Sequence, residues 1–123
     1  MKIAVWYGIF SMGLFIACTS EPHLPDPLEA GWKGEKVCEV LEENDSIRIL
    51  KCTFPPGVGH EKHYHPPHFA YSLKATTYRL EDEHGVRELE FPKGSSYYSE
   101  GVDWHTALNI GTDTGVVLII EPK

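Results

Sequence analysis

Basic residues are few: Lys and Arg number 11 against 18 Asp and Glu, for a formal charge of −7. Without a basic stripe the chain is a poor candidate for nucleic-acid binding, which rests on neutralised phosphates. For the same reason it is a poor candidate for electrostatic adhesion to anionic lipid. No stretch keeps a helical period over three turns, and no internal repeat or low-complexity tract is present. P-loop, dinucleotide fingerprint and Ser-His-Asp order are all missing. What is there suits a folded protein of one domain: 123 residues, 41% apolar and 24% charged. Eleven Gly and nine Pro favour short strands joined by turns over a helical bundle.

The N-terminus carries Lys2 and then an uncharged, mostly apolar run from Ile3 to Ala17. As a helix it spans about 22 Å, short of a hydrocarbon core of about 30 Å, so it reads as a signal peptide rather than a membrane span. The run ends in Phe15-Ile16-Ala17-Cys18. This resembles the lipobox of bacterial lipoproteins, with Phe15 where Leu is usual. The resemblance implies lipidation of Cys18 and a place in the bacterial cell envelope, on the periplasmic or the surface side. The membrane is then met through the N-terminal lipid only. The alternative is an ordinary secretory signal in which Cys18 is incidental. The expected organisation is a signal peptide over 1–17, a lipidated cysteine with an extended tether over 18–34, and a folded unit over 35–123. Pro22, Pro25 and Pro27 argue that the tether is unpacked, with Trp32 as its first docked residue.

Strand signals fill the rest. Val37–Glu42 and Ile47–Phe54 alternate apolar and polar residues, and Val86–Phe91 alternates again. Val116–Ile120 is apolar on both faces and belongs at a sheet centre or in a contact with a second copy. Eight or nine short strands imply an all-β fold, a small antiparallel β-barrel or jelly-roll sandwich. Cys38 and Cys52 lie on the two arms of a hairpin. With Asp45 at its apex they face each other, and an oxidising compartment permits a disulfide. With Asn44-Asp45 alone as the loop, they are offset by one residue and stay two packed thiols.

Four of seven histidines fall within nine residues: His60, His63, His65 and His68. In a strand, His63 and His65 project from one face and can converge on one cation. His60 has the wrong parity to join them in a regular strand.

Two segments together resemble the motifs of the cupin family. Gly57, five residues and His63-Tyr64-His65 match the first. Gly94, five residues, Glu100-Gly101-Val102, two residues, His105, three residues and Asn109 match the frame of the second, with Glu100 and Val102 in place of Pro and Gly. The text His65-Pro66-Pro67 and the Pro56-Gly57 turn are similar to a subgroup of small single-domain cupins. The resemblance covers Val37–Glu121. It implies a barrel holding one divalent metal, Fe, Mn, Ni or Zn, through His63, His65 and His105. The family's fourth ligand, a Glu, is replaced by Phe69 or Ala70. His68 is the substitute ligand candidate, although its parity points it to the rim. Three ligands with open positions are the pattern of a catalytic site, and the resemblance implies a dioxygenase-like metalloenzyme acting on a small oxygen-rich molecule. A non-catalytic binder of a carbohydrate or phenolic ligand, and a sugar-acid isomerase or lyase, are the alternatives. Tyr71, Tyr98 and Trp104 are candidate pocket residues, only one of Tyr97 and Tyr98 being able to face inward. A homodimer is the other partner expected.

Overall fold

The computed structural model describes Cys18 and residues 22–123. The expected signal peptide lies outside the described residues. Cys18 is exposed. Eleven strands are present: β1 (Gly31–Trp32), β2 (Glu35–Lys36), β3 (Cys38–Glu43), β4 (Ile47–Phe54), β5 (Gly59–His65), β6 (His68–Lys74), β7 (Thr76–Asp82), β8 (Gly85–Phe91), β9 (Ser96–Ser99), β10 (Val102–Asn109) and β11 (Gly115–Pro122). No helix occurs among the described residues.

The strands form two main antiparallel sheets and a small ribbon of β1 and β2. One sheet has the order β5-β10-β7-β8, the other β3-β4-β11-β6-β9. As expected from its apolar text, β11 is the central strand of the larger sheet. Leu50, Cys52 and Phe54 of β4 and Val117 and Ile119 of β11 are buried in the core. They alternate with outward Ile49, Lys51, Leu118 and Ile120, as a sheet with one covered face requires.

The β3–β4 hairpin has neither of the two expected loops, yet its cysteines face each other as the first alternative has it. Glu43 faces Arg48, and Asn44 N donates to Ile47 O, so the loop is Asp45-Ser46. A shift between Val40 and Glu42 then changes the register by one, and Cys38 faces Cys52. The two cysteines are disulfide-bonded.

The expected tether is corrected over its second half. From Pro25 onward the chain packs on the barrel as a strap. Pro27 is fully buried and Ala30 nearly so. Asp26 Oδ1 accepts from the amides of Leu28 and Glu29 and shapes the turn. Tyr64 N donates to Pro25 O. Trp32 lies over Gly59, where an added Cβ would stand 2.7 Å from the indole and 2.5 Å from Ala107 O. Prolines favour extended backbone, but extended backbone can dock, and composition does not distinguish the two.

Candidate metal centre

β5 and β10 pair side by side, with His63 opposite His105. Two register shifts interrupt this pair. Leu108 faces Gly59 and Ala107 faces His60, yet two residues on in β10 correspond to three in β5. The extra residue is a β-bulge at Glu61-Lys62. It turns His60 to the same inner face as His63 and His65, against the parity expected of a regular strand. All three are buried, His63 completely.

The ring nitrogens converge. His63 Nε2 is 3.0 Å from His65 Nε2 and 3.0 Å from His105 Nε2. One ligand atom from each of the three lies within 4.8 Å of the others, the one such group of His, Cys, Asp or Glu among the described residues. His63 Nδ1 is 2.6 Å from Glu61 O. A carbonyl only accepts, so Nδ1 carries the hydrogen and Nε2 presents its lone pair inward. This is the backbone anchoring usual for a metal-bound imidazole.

All three rings are held neutral. Burial, with His63 next, brings His105 down to about 3. Burial lowers His65, with further push from His105 and His63. Burial lowers His63 as well, against the pull of Glu61 O. Neutral imidazole is the form that binds a metal. The donor set therefore fits a divalent ion.

His60 and His68 flank the trio. The His60 ring is 3.8 Å from that of His63, and its Nε2 is 3.0 Å from Pro27 O and 3.3 Å from Ala30 O. His60 is thus clamped to the strap, and burial brings it to about 3. The His68 ring is 4.5 Å from that of His65. His68 is buried rather than at the rim, a correction to its expected place, and its Nδ1 bonds Pro66 O at 2.9 Å. It is not grouped with the three converging nitrogens.

Beside the histidines is a cavity of about 60 Å³ with an apolar wall of Phe54, Tyr78, Leu80, Leu89, Phe91 and Tyr97. All three expected pocket residues fall outside it. Tyr71 points outward because it alternates with the buried Ala70 and Ser72 of β6, and Tyr98 points outward at 56% exposed. Trp104 stands on the outer face with Lys62 Nζ 4.1 Å above its ring. Ala70 faces Tyr97 across β6 and β9, and Ala70 is fully buried, so Tyr97 takes the inner face and lines the cavity at its rim, 40% exposed. Parity makes one of the two tyrosines inner; only the strand pairing says which. Asp82, opposite His105 on β7, binds Arg87 at 2.6 Å.

Asn109 ends the second motif at the other end of β10. Its Nδ2 donates to Phe54 O and Asp113 O, and its Oδ1 accepts from Gly111 N and Thr76 Oγ1. It ties three loops together and fixes the strand that carries His105.

No protein-family model and no curated protein sequence matches the chain. Solved structures do. A cupin domain from Bordetella pertussis shares 23% identity over 71% of this chain and 92% of its own, with a TM-score of 0.67. The fold is that of the cupins. A Klebsiella pneumoniae protein with a double-stranded β-helix domain shares 18% over 73% of this chain and 79% of its own, TM-score 0.56. The polyketide cyclase RemF from Streptomyces resistomycificus shares 17% over 77% and 73%, TM-score 0.57. These identities make the cupin likeness one of fold, and function must be argued from the site.

Proposed function

We propose that the protein binds one divalent metal, Fe, Mn, Ni or Zn, through His63, His65 and His105, and acts as a dioxygenase-like metalloenzyme on a small oxygen-rich molecule. The observation that carries this is the meeting of three neutral imidazoles, His63 and His65 buried and His105 half-buried, beside an apolar cavity that His65 and His105 help to line. Bound there, a metal supplies Lewis acidity and open positions for substrate or O2. The chain's own part is orientation and exclusion of water. Glu61 O fixes the tautomer of His63, and the strap closes the barrel behind His60.

The cavity limits the substrate. About 60 Å³ is well below the roughly 150 Å³ that takes up benzene, so only the reacting end of a larger molecule enters. The second reading is a non-catalytic binder, favoured by the absence of a carboxylate among the converging ligands. The apolar wall suits a phenolic ligand better than a carbohydrate, whose buried hydroxyls would lack partners. A sugar-acid isomerase or lyase meets the same objection. A lipid on Cys18, a site in the bacterial envelope and pairing with a second copy complete the proposal.

Metal content by mass spectrometry on purified, tag-free protein tests it, with His105→Ala alongside. About one equivalent of metal, lost in the variant, is the expected result. No metal after anaerobic reconstitution overturns the metal reading and leaves the binder. Oxygen uptake with product formation separates the enzyme from the binder.

A further inference from the structure

Three neutral imidazoles bring no negative charge to a divalent ion. Ala70, where the resembled motif has its glutamate, is buried on the inner face and brings none either. The Asp82–Arg87 pair beside His105 is neutral as a unit. Among the described residues, one other charged network reaches the buried side of the sheets. Arg48 bonds Asp26 Oδ2 through Nη1 at 2.7 Å and Glu121 Oε2 through Nε at 2.5 Å. Two carboxylates on one guanidinium leave a net charge of minus one. The side chains are 17%, 15% and 4% exposed for Asp26, Arg48 and Glu121.

This network borders the histidines on two sides. Glu121 lies on the inner face of β11. Ile120 faces Phe69, so the next register position sets Glu121 against His68, whose ring lies on His65. Asp26 belongs to the strap, where its neighbour Pro27 holds His60, whose ring lies on His63. Independently, Glu121 Oε1 is buried with no hydrogen-bond partner. Leaving a carboxylate oxygen so is costly, and a nearby cation offsets the cost.

We propose that the Asp26–Arg48–Glu121 network is the counter-charge of the three-histidine site, with Glu121 as its positioning residue. The network does at a distance what a coordinating glutamate would do directly. The inference rests on the metal reading above. Groups beyond the ligands of a metal site typically change its affinity about 10- to 100-fold.

The test is zinc affinity of the purified full-length protein in detergent, by competition with a chromophoric chelator, with thermal melts in parallel. Glu121→Gln removes the net charge and is expected to weaken zinc about tenfold. Asp26→Asn removes the same charge at the more exposed carboxylate, is expected to act in the same direction, and serves where Glu121→Gln does not fold. Arg48→Gln breaks the same ion pairs but leaves both carboxylates, so it is expected to tighten zinc while lowering the melt. A purely structural network would move both classes of variant the same way. Equal affinities, or shifts of one sign in all variants, overturn the counter-charge. Wild type that takes up no divalent ion overturns the metal reading itself, and the counter-charge with it.

Discussion

The two sheets of the barrel are built to different standards. In the larger one, β11 and β4 pair through eight consecutive positions without a shift, and the β3–β4 and β11–β6 pairs slip once each, away from the histidines. Its inner face is mostly apolar and it is closed at one edge by a disulfide. In the smaller one, β5 and β10 slip twice within a few residues, and the inner face there carries His60, His63, His65 and His105. Regular pairing stabilises the fold, while bulges aim side chains. The slipped β5–β10 pair can carry a polar face because β4 and β11 supply much of the apolar core. On this view the smaller sheet holds the chemistry, and the two should respond differently to perturbation.

The largest expected effect is on the smaller sheet. The double variant His63→Ala, His65→Ala should lose essentially all bound metal, measured by mass spectrometry, and still fold, measured by circular dichroism. Metal retained at one equivalent would break the assignment.

The next effect belongs to the larger sheet. Replacing Cys38 and Cys52 by Ala opens a loop of about 15 residues and should cost about 3 kcal/mol in a denaturant melt. Metal stoichiometry should not change. A variant that loses both stability and metal would show the sheets to be coupled rather than divided.

Acid should act on the smaller sheet first. His60 and His105 sit near 3 in the folded chain, and near 6.5 once unfolded. The unfolded state therefore binds more protons between those values. Stability present above pH 6.5 is lost as pH falls toward 3. The apo protein's melting temperature should drop steadily over that window, and hydrogen exchange should quicken in β5 and β10 before β4 and β11. Uniform exchange would erase the distinction.

The smallest effect is the most discriminating. Tyr98→Ser on the outer surface should change stability by under about 0.5 kcal/mol and leave the site untouched. Tyr97→Leu, one residue away, alters the cavity wall and should change ligand-induced stabilisation in a thermal-shift assay. Equal responses would contradict the inward placement of Tyr97.

Much of this was legible in the residues. Strand periods, turn glycines and the spacing of His63, His65, His105 and Asn109 are local patterns, and they describe the barrel and its converging trio. The failures are equally specific. Tyr71 and Tyr98 were expected inside and lie outside; His60 was excluded by a parity that one bulge reverses. The strap was expected to be unpacked because its prolines favour an extended tether, yet extended backbone can dock. Glu121 and Arg48 are 73 residues apart, and neither stands in a motif.

The sequence by itself determined the all-β class and the shared face of His63 and His65, because alternation of side chains along a strand is a property of the local backbone. The tertiary structure alone decided which tyrosine faces the cavity, that His60 and His68 are buried, and that a net negative charge lies beside them. Those depend on register, bulges and contacts between distant strands, and a shift of one residue in any of them reverses the face.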